Sequence, residues 1–589
     1  MVDPVYYLRV FSAKGELGAR QCDFEDSPAF KVVPSSDNYA HAFRHTKGII
    51  MELSETLESF CGRQIQPQVD LSIIKEWLEF CHNNHKTLCK EKSTMQIPPG
   101  FRVIDCLERK IVSWDNVPHP KQYMTLSYVW ESSKDESAVR NGIIPNPAPG
   151  TIEDTIILTI NLGYRYLWID RYCIPLDDAA NKQIQIKSMG EIYQHSMVTV
   201  VATAGSDCPY GLPGIGATTR ETQPCVKIGD RTLVYTPYVR TEILNSKWNS
   251  RGWTYQEGLL SRRKLVFTAT QVYFQCSAMH CLESIRAPLT GLHVYKNVRM
   301  RDNVEISRVF PLRGLGKSVD DLEGRLTEYL QRSLTFESDI LDAFRGVLAA
   351  FERMFPLELK SLCGIPIFHT MDIESDLDAL VHGLSWWSTN FYKEGQEPRR
   401  RLGFPSWTWA GWKLPKISSR GGYFRGQKVI VDVSVEYADG CVLLWNGNQD
   451  SILAREKSGS SPLFFRICGP TLDVQISPDC SICGENEDGI VELFATQLDT
   501  RIFRERAIGL TRDAYRMNEA DNGFFQFTLL MLSQSDHDAI ILLLYQPEGS
   551  LHFERIDGFY LSKTSLDSTV KLTLPDTFKG WRTQEVVIG

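Results

Sequence analysis

Charged side chains stand where two apolar segments of the sequence end. The segment LWID ends at Asp170, with Arg171 next to it, and the segment YMTLSYVW ends at Trp130, with Glu131 next to it. A buried strand that served packing alone has no reason to end in an acid and a base. We therefore predict that these residues line a ligand-binding crevice. The alternative is that Asp170 and Arg171 cap neighbouring helices.

The stretch RGWTYQEGLL carries a second candidate set, Arg251, Trp253 and Glu257. Trp253 and later apolar residues have helical spacing, so they share one face of a predicted helix. Glu257 lies one position from the edge of that apolar face. An arginine can hold a phosphate through two hydrogen bonds, and a tryptophan can stack on a ring. The alternative is that Trp253 anchors a helix in the core while Glu257 pairs with Arg262 or Arg263 at the surface.

Cysteine and histidine residues offer two further kinds of chemistry. No histidine is close in sequence to Cys173, so we predict a buried structural thiol there rather than a catalytic one. Cys81, His85 and Cys89 share one face of a predicted helix, and three ligands on a straight helix cannot converge on a tetrahedral ion. We therefore expect a packing stripe, no bound metal and no disulfides. A bound zinc ion would need His82 or a distant residue to complete its shell.

The elements that must position these residues alternate regularly along the chain. The segments YMTLSYVW, YRYLWID and MVTVVATAG are typical of strands, and TIEDTIILTINLG and NKQIQIKSMGEIYQHS are typical of helices. Thr151 and Asp154 have capping-box-like spacing in the first helix, which should stop at Gly163. This order predicts a parallel sheet with helices on both faces, and ligands bind outside the carboxyl ends of such strands.

The composition describes a globular chain of several domains. With 589 residues, 43% of them hydrophobic, the chain is too long for one core and well able to bury large ones. The net charge of −8 and the lack of a basic stripe argue against a nucleic-acid partner. No apolar run approaches the roughly 18–20 residues of a membrane span, and the N-terminus lacks a signal-peptide pattern. We expect a cytoplasmic protein without a membrane span.

Four regions follow from the segment pattern. We predict a mixed or helical extension over residues 1–95, the parallel-sheet α/β domain over 96–290 and a helical region over 291–400. In residues 401–589, strand-like runs such as VIVDVSVEY and DAIILLLYQ are separated by turns. This last region is predicted to be a β-rich accessory domain.

Several of these segments together resemble a known family. YMTLSYVW, LWIDRYCIPLDD and RGWTYQEGLL, with the spaced Gln185, Met189, Ile192 and Tyr193 between them, resemble the fungal heterokaryon-incompatibility (HET) domain in order and spacing. The resemblance covers roughly residues 65–415. It implies a fungal cytosolic protein that triggers programmed cell death when genetically different hyphae fuse. It also implies a TIR-like domain with a flavodoxin-like parallel sheet, and several TIR domains cleave NAD with one glutamate.

If the resemblance extends to NAD cleavage, it gives the candidate residues their roles. A carboxylate beside the ribose would stabilise the positive charge of an oxocarbenium-like transition state, which is the role we assign to Glu257. NAD is then a substrate, and we expect no resident cofactor. The catalytic candidates are Glu257, Asp170 and Arg171, and the substrate-binding candidates are Tyr128, Trp130, Glu131, Cys173, Arg251 and Trp253.

The sequence also departs from the family pattern. Glu131 stands where the family usually has a glycine, and Pro175 and Leu176 replace the amide pair of the usual CINQ. A glutamate adds negative charge that should oppose a dinucleotide, so two alternatives stay open. One is a repurposed enzyme or small-molecule-binding protein of a secondary-metabolite pathway. The other is a non-catalytic recognition module whose C-terminal domain binds a protein partner. The sequence has no P-loop motif.

Overall fold

The protein divides into two compact units. The first comprises residues 1–316 with 342–347, and the second comprises residues 317–341 with 348–589. The computed structural model describes residues 6–12, 25–26, 28–34, 48–54, 59–86, 89, 97–130, 142–175, 177–205, 208–292, 310, 315–316, 318, 320–370, 373, 375–388, 399–414, 417–418, 426–476, 481–486, 489–494, 525–535, 538–562 and 581–589.

An eight-stranded sheet lies at the centre of the first unit. Its strands in chain order are β1 (Arg102–Asp105), β2 (Lys110–Ser113), β3 (Met124–Ser127), β4 (Tyr166–Trp168), β5 (Thr199–Ala202), β6 (Arg263–Phe267), β7 (Val272–Cys276) and β8 (His280–Leu282). Across the sheet they lie in the order β8-β7-β6-β5-β3-β4-β1-β2. The four middle strands β6, β5, β3 and β4 are parallel.

The predicted parallel sheet is confirmed for these four strands, but antiparallel pairs extend it at both ends. On one side β4 pairs with β1 and β1 with β2, and on the other β6 pairs with β7 and β7 with β8. All residues of β3, β4, β5 and β6 are buried. Parallel strands are typically covered on both faces, which is why they are nearly continuous apolar runs in the sequence.

The chain changes direction across the sheet at β3. From β3 it passes to β4 on one side, and it then returns to β5 on the other side of β3. In open α/β sheets, ligands bind outside the carboxyl ends of the strands at such a point. The crevice is therefore expected beyond Ser127, the last residue of β3.

The helices of the first unit include the two that the sequence predicted between these strands. They are α1 (Leu71–Asn84), α2 (Gly150–Asn161), α3 (Asp170–Cys173), α4 (Ala179–His195), α5 (Val239–Leu244), α6 (Lys247–Ser250), α7 (Trp253–Leu260) and α8 (Leu289–Leu292). Short 3₁₀ helices span Trp114–Asn116 and Cys208–Tyr210. In α4 the predicted inner face is buried, and it comprises Gln185, Met189, Ile192 and Tyr193.

The start of α2 differs from the prediction, whereas its end agrees. The helix begins after Pro149 without a side-chain cap, so Thr151 and Asp154 do not form a capping box. The Asp154 carboxylate instead accepts hydrogen bonds from the Leu212 backbone N–H at 2.8 Å and from the Thr218 hydroxyl at 2.6 Å. Asp154 thus fastens a following loop to the helix. Gly163, with φ +89°, follows the helix end as predicted.

The described residues of the first unit also form two smaller sheets. A five-stranded sheet contains, in spatial order, Tyr6–Ser12, Pro28–Pro34, Gly48–Glu52, Arg231–Pro237 and Cys225–Ile228. A three-stranded sheet contains Ile285–Arg286, Ser59–Gly62 and Glu25–Asp26.

The second unit contains a large sheet and several short elements. The ten strands of the large sheet are Lys428–Val429, Asp432–Glu436, Val442–Leu444, Phe464–Ile476, Ser481–Asn486, Gly489–Phe494, Phe525–Gln534, Asp538–Tyr545, Glu554–Ser562 and Arg582–Ile588. Three strand pairs join Leu359–Leu362 to Ile365–Phe368, Trp387–Ser388 to Ile417–Ser418, and Arg399–Arg400 to Trp412–Lys413.

The remaining helices follow in chain order. They are α9 (Asp320–Leu330), α10 (Asp342–Met354), α11 (Asp376–Leu384) and α12 (Gln449–Lys457), with 3₁₀ helices at Glu337–Ile340 and Trp409–Gly411. Within the described part of the chain, no helix combines the length and the apolar character that crossing a membrane requires.

Candidate active site at the carboxyl ends of the parallel strands

The ends of β3 and β4 are joined by a side-chain contact. After β3 the chain runs on to Trp130, and after β4 it enters α3 at Asp170. The Trp130 indole N–H donates to both carboxylate oxygens of Asp170, at 3.1 and 3.2 Å. Trp130 remains 42% exposed, whereas Asp170 and Arg171 are half-buried. The structure therefore brings together the two strand ends that the sequence singled out.

Asp170 does not cap the neighbouring helix α4. That helix is capped by Asp178, whose carboxylate accepts the Asn181 N–H at 2.9 Å. The Asp170 carboxylate accepts the backbone N–H of the adjacent Arg171 at 2.7 Å. The capping alternative is thus wrong for α4, and the Asp170 side chain faces the Trp130 indole.

Glu257 lies inside the first unit and not on its surface. Its side chain on α7 is only 4% exposed, and the Ser127 hydroxyl donates to it at 2.5 Å. The Trp248 indole N–H in turn donates to the Ser127 hydroxyl at 2.7 Å. Arg262 donates to backbone carbonyls, and Arg263 donates to carbonyls and a cysteine sulfur. The alternative, in which Glu257 pairs with either arginine at the surface, is therefore wrong.

The two acids influence each other's ionisation. Burial raises the pKa of Glu257 to about 8, and the negative charge of Asp170 adds to the shift. Burial also raises the pKa of Asp170 to about 6, against the opposing effects of the Arg171 N–H and the Trp130 indole. The charge of Arg251 lowers the pKa of both acids. Asp170, Glu257 and Arg251 therefore share one electrostatic environment, and the two acids titrate as a pair close to neutral pH.

Two tyrosines stand beside this pair. The Tyr193 hydroxyl donates to the Leu126 carbonyl at 3.0 Å, on the strand that carries Ser127. The Tyr128 hydroxyl is buried and has no hydrogen-bond partner among the described residues. Burial, followed by the charge of Asp170, holds the pKa of Tyr128 well above its ordinary value. Tyr128 is thus a neutral hydrogen-bond donor with unused capacity next to an acid.

Two of the predicted substrate-binding residues, Trp253 and Cys173, pack in or against the core of the first unit. Trp253 is half-buried and packs against the core, which favours the anchoring alternative for this side chain. Cys173 is 1% exposed and its pKa is raised to about 12, chiefly by burial, as suits a structural thiol. Glu131 lies outside the described residues.

Three side chains of this site, Ser127, Tyr193 and Trp248, were not among the predicted site residues. Ser127 is a polar residue at the end of an apolar strand, which is the same signal that identified Asp170. Tyr193 was assigned only to the buried face of α4, and its pKa is raised by burial and by the Glu257 and Asp170 charges. Trp248 lies in the short helix α6, and no periodicity in the sequence connects it with Ser127.

One region of the chain is similar to a known family. Residues 123–257 match the family model described as heterokaryon incompatibility protein (HET). The chain contains a HET domain. The match begins just before β3 and ends at Glu257, so it encloses Ser127, Asp170 and Arg251 of the site described above. No curated protein and no solved structure matches the chain. This match supports the prediction that the chain is a heterokaryon-incompatibility-type protein.

Proposed function

We propose that the HET domain hydrolyses the bond between nicotinamide and ribose in NAD, and that this reaction is its contribution to incompatibility-type cell death. The observation that carries the proposal is the pair of acids at the carboxyl ends of the parallel strands, the half-buried Asp170 and the buried Glu257, whose charges act on each other. Groups with strongly shifted pKa values in such a position are candidates for catalysis. Pairs of acids whose surroundings separate their pKa values are common in enzymes that cleave glycosidic bonds.

The strand order gives further support. When the four parallel strands are numbered along the chain, their spatial order is 2-1-3-4. The flavodoxin-like order begins in the same way, and its ligand site lies between the first and third strands. Here those strands are β3 and β5, and Ser127 at the end of β3 holds the Glu257 carboxylate. A TIR-like nucleotide site in this place agrees with the family resemblance.

The proposed reaction uses Glu257 as the stabilising carboxylate. As the bond from ribose C1 to the nicotinamide nitrogen breaks, its electron pair leaves with nicotinamide, which departs as a neutral base. Positive charge then develops on C1 and the ring oxygen, and the ionised Glu257 carboxylate lies against it. Water adds to C1 and its proton passes to the carboxylate, which completes the hydrolysis.

The surroundings of Glu257 suit this role. Ser127 and Trp248 form a hydrogen-bonded chain that fixes the position of the carboxylate. In the free protein the pKa of about 8 keeps Glu257 largely protonated, while Asp170, with a pKa of about 6, is mostly ionised at neutral pH. The cationic nicotinamide ring would lower the pKa of Glu257 on binding, so the active ionised form arises when the substrate is present.

Other residues provide groups for recognition of the substrate. We propose that Arg251, whose charge acts on both acids, binds a phosphate of NAD through its guanidinium. The half-exposed Trp130 indole offers a surface for a base to stack on. The unused Tyr128 hydroxyl offers a hydrogen bond to a ribose hydroxyl.

The test is release of nicotinamide from NAD by the purified full-length protein and its Glu257→Gln variant. Glutamine keeps the shape and an acceptor for Ser127 but removes the charge. We expect the rate to fall by a factor of at least about 100, as it does when other enzymes lose one well-placed stabilising group. The matched control is Glu221→Gln, because Glu221 is exposed and has no part in the site.

Two results would contradict the proposal. Equal release by the wild type and Glu257→Gln would show that the activity does not depend on this carboxylate. Absence of release from every protein would remove the hydrolase assignment. The HET domain would then bind a small molecule without cleaving it, or act as a non-catalytic recognition module.

A further inference from the structure

A second buried cluster in the first unit consists of three thiols and an imidazole. Its members are Cys81, His85, Cys89 and Cys276, and one potential ligand atom from each lies within 4.8 Å of all the others. All four side chains are buried. None of them belongs to the site at the carboxyl ends of the strands.

The chain brings the first three residues together by ending a helix. Helix α1 stops at Asn84, and His85 is its C-cap, with φ −105° and ψ 44°. The His85 N–H still donates to the Cys81 carbonyl at 3.0 Å, and the Cys89 N–H donates to the His85 carbonyl at 2.9 Å. The expectation of a packing stripe assumed a straight helix through Cys89, and that assumption is wrong.

The fourth member comes from the sheet. Cys276 is the last residue of β7, and its Sγ lies 3.4 Å from the His85 Nδ1. In a tetrahedral zinc site, bonds of about 2.3 Å to sulfur and about 2.0 Å to nitrogen place neighbouring ligand atoms roughly 3.5–3.8 Å apart. The cluster is thus close to the size that a zinc ion requires.

We propose that Cys81, His85, Cys89 and Cys276 bind one zinc ion as a structural site. Soft thiolate ligands with an imidazole select zinc over magnesium or calcium, which prefer oxygen ligands. Four protein ligands fill a tetrahedral shell and leave no open position for a substrate, which is the arrangement of structural zinc sites. The ion would fasten the end of α1 to the antiparallel part of the sheet.

A buried arginine beside the cluster supports an anionic centre. Arg263 is 6% exposed, and its guanidinium donates to the Cys81 Sγ at 3.2 Å. Its other hydrogen bonds reach the backbone carbonyls of Cys89 at 3.0 Å and Met197 at 3.3 Å. Three thiolates, a neutral imidazole and Zn²⁺ carry a net charge of −1, which the guanidinium offsets. This charge gives a physical reason for burying an arginine here.

A backbone hydrogen bond also points toward a metal-bound thiolate. The Ala278 N–H donates to the Cys276 Sγ at 3.4 Å. Hydrogen bonds to coordinating groups orient them and tune the metal. Together with Arg263, this contact places hydrogen-bond donors on two of the three sulfurs.

The test begins with the metal content of the full-length protein. The protein is purified without chelators and without a metal-affinity column, and zinc and iron are measured by mass spectrometry. We expect one zinc ion per chain. A mercurial reagent that titrates thiols should release this zinc in step with the reaction of the cluster cysteines, followed with a colorimetric zinc indicator. These measurements need no variant, so a failure of a variant to fold does not affect them.

Variants locate the ion. Cys276→Ser should lose the zinc, whereas Cys106→Ser should keep it, because Cys106 is an equally buried thiol outside the cluster. Wild-type protein without zinc that takes up none when zinc is added would overturn the proposal. Zinc that persists in Cys276→Ser, or iron in place of zinc, would overturn it as well.

Discussion

The candidate active site lies beyond the carboxyl ends of β3 and β4, and the cysteine–histidine cluster lies beside the amino end of β6. The polar groups of these two regions are arranged in opposite ways. Beyond the carboxyl end of β3, two acids that repel each other when both are ionised share one electrostatic environment, and their pKa values are raised. At the amino end of β6, Arg263 faces the thiols of the cluster and provides the opposite charge.

The difference suggests that two regions of one sheet have different roles, one in stability and the other in catalysis. Buried groups that satisfy each other stabilise a fold, whereas buried groups that oppose each other cost stability and persist where they serve a reaction. On this account the amino ends of the strands hold the first unit together. The carboxyl ends carry the chemistry.

The largest expected effect comes from the cluster. Removing a ligand with Cys276→Ser should destabilise the first unit by more than about 4 kcal/mol, because loss of a structural metal belongs to the few changes with effects of that size. Thermal unfolding followed by circular dichroism, with and without a strong chelator, measures this. Cys106→Ser is the control for a buried cysteine outside the cluster. If the chelator left the unfolding midpoint of the wild type unchanged, the claim that a metal in the cluster stabilises the first unit would be contradicted.

At the active site, a substitution is expected to raise the stability of the protein instead of lowering it. The folded pKa of Glu257 is raised from 4.5 to about 8, so the folded state binds its proton more tightly than the unfolded state does. This contribution to stability is fully present below about pH 4.5 and is lost as the pH rises through about 8. Glutamine mimics the protonated acid at every pH.

Glu257→Gln should therefore be more stable than the wild type at pH 8.5. The gain should be on the order of a few kcal/mol, at about 1.4 kcal/mol per pKa unit, and it should vanish near pH 4.5. Thermal midpoints measured across this pH range, with Glu221→Gln as the control, give the comparison. A variant that is less stable than the wild type at high pH would show that Glu257 is a structural residue.

Local patterns were sufficient to predict the centre of the fold. The alternation of strands and helices from Tyr123 to Gly205 follows from short-range periodicity, and the strand-end rule brought Trp130 and Asp170 together. The antiparallel extensions were not predicted as part of the same sheet, because pairing between distant strands leaves no periodic signal. The sequence left two alternatives for Glu257, a carboxylate beside the substrate or a surface pair with Arg262 or Arg263, and only the fold excludes the second.

The zinc ligands show where sequence reasoning fails. Three of them were grouped by their spacing, but we expected no metal because we assumed that the helix continues past Asn84. Where a helix ends is among the least certain features of a sequence. Cys276 lies on a distant strand, and no local pattern connects it with Cys81.

The smallest expected effect concerns Tyr128. Its buried hydroxyl lacks a protein partner among the described residues, so Tyr128→Phe should leave stability unchanged or raise it by about 1 kcal/mol. If this hydroxyl binds the ribose, the KM for NAD should rise several-fold. Steady-state kinetics and thermal unfolding of the same variant check both statements. A clear loss of stability without a change in KM would assign Tyr128 to the core instead of the crevice.

The pH dependence of nicotinamide release tests the central claim most directly, since it reports the ionisation of the acid pair during catalysis. If the ionised Glu257 carboxylate is required, kcat/KM of the wild type rises with pH through about 8. Asp170→Asn removes the negative charge that raises the pKa of Glu257, so the residual activity of this variant should rise at lower pH. A profile that is flat, or that lies at the same pH in both proteins, would contradict the account.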